Sequence, residues 1–310
     1  MPHWTTADIP DQTGKTVLVT GANSGLGLRS AEALAAAGAR VLLACRNAEK
    51  AAVALESVKA AAAGAAPEVV SLDLADLDSV QAAAADVEGR VDQLDVLMDN
   101  AGVMALPLRR TAQGFEMQFG TNHLGHFALT GRLLPTLLRA KEPRVVVVSS
   151  QGHRMGKMRW DDLNWERGRY SKWLAYGQTK LANLLFAGEL QRRATAAGTA
   201  LTAASAHPGY ASTHLAAAGP EMSGNSFMLR ATRVSDRVMG QSDAQGALPQ
   251  LYAATMPDVR PDDYFGPDGL FEQRGYPKRV GRTKTASDPA AGARLWRVSE
   301  ALTGVTYDFG

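Results

Sequence analysis

The chain has 310 residues, of which 45% are hydrophobic and 21% are charged, a composition typical of globular proteins. Its formal net charge is only +2 and its lysines and arginines are scattered, so it lacks the concentrated basic charge of a nucleic-acid-binding protein. The single cysteine, Cys45, excludes an intramolecular disulfide and fits a reducing compartment.

The N-terminal sequence MPHWTTADIPDQTGK contains no apolar stretch of the kind that secretory signals need. The longest purely aliphatic run is the valine run at 145–148, which is far too short to span a bilayer. We therefore expect a cytoplasmic protein that does not associate with a membrane.

Short β-rich runs alternate with helical patterns from residue 16 onward. These runs are TVLVT (16–20), RVLLA (40–44), EVVSL (68–72), LDVLM (94–98), RVVVVS (144–149) and LTAASAH (201–207). Apolar strands separated by helices indicate a parallel sheet that is buried on both faces. The predicted fold is α/β, a doubly wound Rossmann-type sheet flanked by helices, with ligands at the carboxyl ends of its strands.

The chain shows no internal repeat and no low-complexity linker, so a single domain over residues 1–310 is predicted. Periodicity weakens over 211–247, where small, polar and methionine residues mix. This segment is either a C-terminal cover on the substrate side of a site or a plain connection.

The glycine-rich turn GANSGLG (21–27) follows the first strand and opens a helix. Gly21, Gly25 and Gly27 allow a positive φ and a close backbone approach, and the helix N-terminus offers free N–H groups to a pyrophosphate. The second strand ends at Arg46, with no acid before Glu49, whereas NAD sites usually have a carboxylate there. Arg46 can bind a 2′-phosphate through its guanidinium fork, which favours NADP(H), although a solvated arginine is the alternative.

Six motifs occur in order: TGANSGLG, DNAG (99–102), NHLGHF (122–127), VSS (148–150), YGQTK (176–180) and HPG (207–209). With these motifs the chain resembles the short-chain dehydrogenase/reductase family from about residue 14 to 307. Within that family, LLACRN, FGTNHLGHF and TKLANLLF are most similar to the retinol-dehydrogenase-like and WW-domain-oxidoreductase-like branch.

The resemblance implies a catalytic set. Tyr176 matches the residue that exchanges a proton with the substrate oxygen, and Lys180 matches the residue that holds the nicotinamide ribose and lowers the tyrosine pKa. Ser150 matches the group that hydrogen-bonds the substrate oxygen, and Asn122 matches the residue that supports a water link to the lysine. A cation on the same helical face, together with an oxidised nicotinamide, would move a phenol pKa from about 10 towards the working range.

The predicted cofactor contacts come from the same motifs and from the ends of the second and third strands. They are Gly21, Ser24, Gly25, Leu26, Gly27, Arg46, Asn47, Asp73, Leu74, Asn100, Ala101, Gly102, Tyr176, Lys180, Pro208, Gly209 and Thr213. Hydride transfer of this kind needs no metal, so packing is a better explanation than metal binding for His123 and His126.

Two departures from the family pattern leave alternatives open. Asp99 stands where relatives commonly have asparagine. The change implies a local rearrangement with a small stability change, or else a weakened cofactor floor or, if the side chain is buried, a carboxyl of raised pKa. The segment 151–175 is long and contains Trp160, Trp165, Tyr170 and Trp173. These aromatics either shape a pocket for a bulky apolar substrate or pin the segment onto the domain.

The function predicted from the sequence is NADP(H)-dependent interconversion of a small-molecule ketone or aldehyde and its alcohol. The alternatives are an epimerase or dehydratase with a retained cofactor, and a dinucleotide-binding sensor or scaffold with a vestigial site. A homo-oligomer is also open, because four leucines on the predicted Tyr176 helix either line a subunit interface or are buried against the sheet. They are Leu181, Leu184, Leu185 and Leu190.

Overall fold

A computed structural model describes residues 3–210 and 241–310. These residues contain one eight-stranded sheet, in which β7 and β8 pair antiparallel and all other neighbours pair parallel. The strands are β1 (Thr16–Thr20), β2 (Arg40–Cys45), β3 (Glu68–Ser71), β4 (Val96–Asp99), β5 (Arg144–Val148), β6 (Thr202–Ala206), β7 (Tyr264–Pro267) and β8 (Pro277–Arg279). Their order β3-β2-β1-β4-β5-β6-β7-β8 confirms the predicted Rossmann-type α/β fold.

Helices cover both faces of this sheet. They are α1 (Gly25–Ala36), α2 (Ala48–Ala61), α3 (Leu77–Arg90), α4 (residues 117–138), α5 (Lys172–Ala196), α6 (Asp243–Thr255) and α7 (Pro289–Thr303). Alternate strand residues divide between the two layers, since Leu18 packs with α3, α4, α5 and α7, whereas Val17 and Val19 pack with α1, α2 and α6. All five residues of β1 are buried, as expected for a parallel strand covered on both faces.

Strands β7 and β8 were not predicted from the sequence. Their sequences, YFGP and PKR, are short and contain glycine or proline, so neither gives an apolar run. Thr213 and most of the predicted cover at 211–247 lie outside the described residues. Within 241–247, helix α6 begins at Asp243, and Ala247 is fully buried in the core.

The C-terminal helix α7 has clear end signals, because the Asp288 side chain accepts from the N–H of Ala290 and Gly304 ends the helix at φ 68°. It packs on α5, in which Leu181, Leu184, Leu185 and Leu190 are all buried inside the chain; these four leucines therefore belong to the core. Among the described residues, we find no helix with the length and apolarity that crossing a bilayer requires.

Candidate active site

A cleft of about 280 Å³ lies at the carboxyl ends of the central strands. Eleven of the predicted cofactor residues line it, namely Gly21, Ser24, Gly25, Leu26, Gly27, Arg46, Asp73, Leu74, Asn100, Ala101 and Gly102. Five further residues line the cleft that were not predicted from the sequence, namely Asn23, Ala44, Leu72, Val103 and Thr121. Four of these five are direct neighbours of predicted residues, so extending each motif by one position would have found them.

The glycine turn is closely packed against the loop that follows β4. Gly21 has φ 68°, a left-handed conformation that suits glycine, and α1 begins at Gly25. A Cβ on Gly27 would collide with the backbone oxygen of Gly21, so the helix can approach the strand only because this position has no side chain. The turn therefore leaves room at the N-terminus of α1, where free N–H groups favour a pyrophosphate.

Thr20 and Asn100 fix the loop that follows β4. The N–H groups of Asn100 and Ala101 both donate to Thr20 Oγ1 at 2.9 Å, and Asn100 Nδ2 donates to the Thr20 carbonyl at 2.7 Å. Gln250 of α6 donates to Asn100 Oδ1 at 3.0 Å. Gln250 was not predicted, because its partner lies 150 positions away in the chain.

Cys45, at the end of β2, lies against the glycine turn. Burial raises the pKa of its thiol to about 11, although backbone hydrogen bonds from Ala22 and Asn23 partly oppose that shift. The thiol is therefore protonated and shielded in the folded protein.

The two cofactor contacts predicted at the end of β2 have different surroundings. The side chain of Arg46 is 68% exposed and its Nη1 lies 3.8 Å from Asp73 Oδ2, so the guanidinium is held only loosely. Asn47 does not line the cleft; its Oδ1 instead accepts the N–H of Lys50 at 2.8 Å and caps α2.

Helix α5 presents Tyr176 and Lys180 on one face, with Lys180 Nζ 5.8 Å from the tyrosine ring centre. The lysine is buried, donates to the Val148 carbonyl at 3.1 Å, and has its pKa lowered by burial to about 8. Burial raises the pKa of the Tyr176 phenol, and a hydrogen bond with Ser150 partly opposes the shift. The lowering expected from Lys180 together with an oxidised nicotinamide stays a prediction.

Ser150 lies beside the Tyr176 ring. A Cβ built on Gly152 would be 3.1 Å from Tyr176 Cε1 and 3.5 Å from Ser150 Oγ, so the phenol ring and the hydroxyl border the same gap. Ser150 Oγ accepts the N–H of Gly152 at 3.1 Å, and its hydroxyl also makes the hydrogen bond with Tyr176, so the two hydroxyl groups lie side by side.

Asn122 lies in a π-helical turn, Gly120–Leu124, inside α4, a distortion that is frequent at functional sites. Its side chain bonds both backbone groups of Val103 and donates to Thr179 Oγ1 at 3.1 Å. A Cβ on Gly102 would lie 3.3 Å from Asn122 Oδ1 and 3.6 Å from Lys180 Nζ. The structure thus brings the four predicted catalytic residues together next to Gly102, which lines the cleft. Tyr176 and Lys180, which were also predicted as cofactor contacts, are not among the residues that line it.

The two histidines of α4 are packing residues. His126 Nδ1 lies 3.1 Å from the Asn122 carbonyl and Nε2 lies 3.0 Å from Thr20 Oγ1, while His123 Nε2 contacts Ser299 Oγ at 2.8 Å. Burial lowers their pKa values to about 4 and about 3, so both rings are neutral at pH 7. Residues 3–210 and 241–310 contain no cluster of three side chains suited to a metal ion.

Asp99 is fully buried, and Thr130 donates to its Oδ2 at 2.9 Å. Its Oδ1 has no hydrogen-bond partner among the described residues, and burial raises the pKa of the carboxyl well above its usual range. Of the alternatives left open by the sequence, the structure shows the carboxyl of raised pKa.

The aromatic segment 151–175 is mostly pinned to the domain. Trp165 is buried and carries the Arg159 guanidinium 4.2 Å from its ring centre, while the Tyr170 hydroxyl donates to Glu116 at 2.9 Å. Trp160 packs beneath Arg294. Trp173 differs, because it is 47% exposed one turn before Tyr176.

The turn Pro208–Gly209 follows β6, and neither residue lines the cleft. Gly209 has φ 67°, and its N–H donates to His207 Nδ1 at 3.2 Å. A Cβ on Gly209 would collide with the Gln273 carbonyl, so this turn packs directly against the loop between β7 and β8.

Comparison with known proteins identifies the class. The family model described as short chain dehydrogenase matches residues 15–223. Retinol dehydrogenase 14 of Mus musculus is 40% identical over 304 residues, covering 94% of this chain and 86% of the relative. Retinol dehydrogenase 13 of Homo sapiens is 37% identical, covering 94% and 85%. The chain belongs to the short-chain dehydrogenase/reductase family of oxidoreductases, which bind a nicotinamide dinucleotide.

Solved structures share the fold of this chain. An uncharacterized protein from Mycobacterium paratuberculosis is 43% identical, with a TM-score of 0.80 over 99% of this chain and 100% of that chain. A short chain dehydrogenase from Shigella flexneri, solved with NADP, is 24% identical and shares the fold, with a TM-score of 0.61 over 81% of this chain and 96% of that chain. Within the family, the chain is retinol-dehydrogenase-like.

Proposed function

We propose that this protein is an NADP(H)-dependent oxidoreductase that reduces a ketone or aldehyde to an alcohol, reversibly. The observation that carries the proposal is the convergence of Asn122, Ser150, Tyr176 and Lys180 beside the cleft. The cleft itself fits a dinucleotide, because the packing at Gly21 and Gly27 leaves backbone N–H groups of α1 for a pyrophosphate. Reduction is the proposed cellular direction because cells keep NADP pools reduced.

Arg46 supports the choice of NADP(H). Its side chain lines the cleft, is largely exposed and has only a long contact with Asp73, so it is available to bind a 2′-phosphate. The β2 strand ends without the carboxylate that usually binds the free ribose of NAD.

The bound cofactor supplies the hydride, and the residues of this chain handle the oxygen and its proton. Tyr176 donates a proton to the carbonyl oxygen, while the Ser150 hydroxyl donates a hydrogen bond to the same atom. With a pKa of about 8, Lys180 is mostly protonated at pH 7, and its positive charge stabilises the phenolate that remains. Asn122 holds the loop at Val103 beside the lysine.

We propose a bulky apolar substrate. Six large hydrophobic side chains are exposed on segments next to the four residues, and they are Met155, Trp173, Leu174, Tyr210, Leu270 and Phe271. Exposed apolar surface at a site mouth favours an apolar ligand. The relatives named above are retinol dehydrogenases, and retinol is a large apolar alcohol.

The test follows nicotinamide absorbance while purified protein meets NADPH or NADH with small and bulky carbonyl compounds. The proposal expects oxidation of NADPH that favours bulky apolar aldehydes or ketones and is lost in Tyr176→Phe. Turnover with NADH alone would contradict the cofactor assignment, and tight cofactor binding without turnover would favour a sensing role. Cofactor that remains bound through gel filtration, without net oxidation, would favour an epimerase or dehydratase.

A further inference from the structure

The loop between β7 and β8, residues 268–276, lies beside the predicted catalytic residues. Phe271 and Glu272 both have positive φ, 52° and 56°, a conformation that residues with side chains rarely adopt. Two consecutive residues of this kind persist only where the surroundings hold them, and they are frequent at functional sites. The contacts of Glu272 show what holds this loop.

Glu272 accepts hydrogen bonds from two different segments. Its Oε2 lies 3.1 Å from Gln151 Nε2 and 3.2 Å from His207 Nε2, and Arg154 Nη2 lies 3.4 Å away. His207 is 1% exposed, and its Nδ1 accepts the N–H of Gly209, so the ring proton is on Nε2 and faces the carboxylate. Glu272 therefore gives a buried neutral histidine its acceptor.

The two bonded segments are the two walls of the predicted reaction site. Gln151 directly follows Ser150, and His207 directly precedes the Pro208–Gly209 turn that would border the nicotinamide. The loop backbone reinforces both links, because the Phe271 carbonyl accepts from Gln151 Nε2 at 2.9 Å and the Gln273 carbonyl accepts the N–H of Tyr210 at 2.7 Å. Within the described residues, Glu272 is the side chain that bonds both walls.

We propose that Glu272 is a positioning residue that sets the distance between the Ser150 hydroxyl and the nicotinamide-bordering turn. The proposal rests on the proposed function, because it assigns the two walls the roles given there. A carboxylate suits this position, since one oxygen can accept from both the amide of Gln151 and the imidazole of His207, with Arg154 nearby. Truncation would leave the His207 proton without its acceptor and free the two walls to move apart.

The experiment compares wild type, Glu272→Ala, Glu272→Gln and the control Glu56→Ala. Glu56 is an exposed residue of α2 that pairs with Lys59, away from the cleft. For each protein we would measure kcat, KM and NADPH affinity, and the isotope effect with NADPH deuterated at the transferred position. We expect Glu272→Ala to lower kcat about 30-fold or more, with NADPH affinity within about 3-fold of wild type, because the adenosine side of the cleft is untouched.

The isotope effect separates positioning from simple loss of folded protein. A misplaced hydride acceptor slows the chemical step, so the isotope effect on kcat should rise in Glu272→Ala, with Glu272→Gln intermediate and Glu56→Ala unchanged. A smaller active fraction would lower kcat and the number of NADPH sites together while leaving the isotope effect unchanged, and that result would overturn the proposal. Activity of Glu272→Ala within about 2-fold of wild type would overturn it as well.

A crystal structure of Glu272→Ala keeps this inference separate from the proposed function. If wild type shows no turnover on any carbonyl, the proposed function fails, yet the structural claim is still tested. The claim expects the turn at Gln151–Met155 and the turn at Pro208–Gly209 to lie farther apart than in wild type. Unchanged positions would overturn it whatever the activity.

Discussion

The two ends of the site are held together in different ways. At the cofactor end, two short motifs bind each other directly, as when the side chain of Thr20 accepts the backbone N–H groups of Asn100 and Ala101. At the substrate end, long side chains from distant segments make the ties, as in the Glu272 contacts with Gln151 and His207. Thr20 and Asn100 both belong to motifs that can be recognised in a sequence, TGANSGLG and DNAG, whereas Glu272 belongs to none.

The largest expected effect on activity comes from removing the proton donor at the substrate end of the site. Tyr176→Phe removes the phenolic proton and keeps the ring, so kcat should fall about 1,000-fold, within the usual range for a general acid. NADPH affinity, measured by titration, should stay within about 3-fold, because the cleft-lining residues are unchanged. A comparable loss of cofactor affinity would mean that the two ends of the site are coupled.

The next largest effect comes from disturbing the backbone packing at the cofactor end of the site. Gly27→Ala places a methyl group against the Gly21 carbonyl and must separate α1 from the turn, so NADPH affinity should fall about 100-fold, with a lower Tm. Gly89→Ala is the matched control, since that helical glycine of α3 has open space around it. The control should raise stability by about 0.5–1 kcal/mol and leave affinity unchanged. Equal effects of the two variants would refute the packing argument.

A smaller effect tests whether the protein prefers NADPH to NADH. Arg46→Ala should raise the KM for NADPH about 10-fold and leave that for NADH within about 2-fold, because one charge-assisted contact is lost. Arg29→Ala, which removes an exposed arginine paired with Glu32, controls for net charge. Equal losses with both cofactors would remove the 2′-phosphate role from Arg46.

The smallest effect concerns thermal stability and the buried carboxyl group of Asp99. Its pKa is raised by folding above the usual 3.8, so its contribution to stability is complete below that value and is lost as the pH rises through the folded-state pKa. Asp99→Asn cannot ionise and should raise the Tm by about 4 °C or more at pH 8, with the difference shrinking towards pH 4. The exposed Asp92→Asn should change the Tm by less than about 2 °C at either pH. A pH-independent difference for Asp99→Asn would show that packing, not ionisation, is responsible.

The sequence predicted the sheet through β6, most of the cleft and the four converging residues because each rests on a local pattern. Apolar runs indicate buried strands, and motifs such as DNAG or YGQTK keep their spacing on one turn or one helix face. Strands β7 and β8 escaped prediction because YFGP and PKR carry no apolar alternation, and β7 is added beside β6 by tertiary pairing.

Other features depend on environment, which a sequence does not display. Asn47 was predicted as a cofactor contact from its position in the chain, yet its side chain caps α2. Burial raises the pKa of Tyr176, and the sequence alone does not show how deeply that side chain is buried. Gln250 and Glu272 gain their importance from partners that only the folded chain brings near.

The burial of Cys45 turns the only thiol of the chain into a natural reporter of opening. Because its protonated sulfur lies under the glycine turn with a pKa of about 11, an alkylating reagent can reach it only when that region unfolds. The labelling rate of the wild-type protein would therefore measure how often the cofactor end opens, without any engineered probe. A dinucleotide bound over that turn should slow the labelling in proportion to its occupancy, which gives an affinity assay for compounds that are neither fluorescent nor turned over.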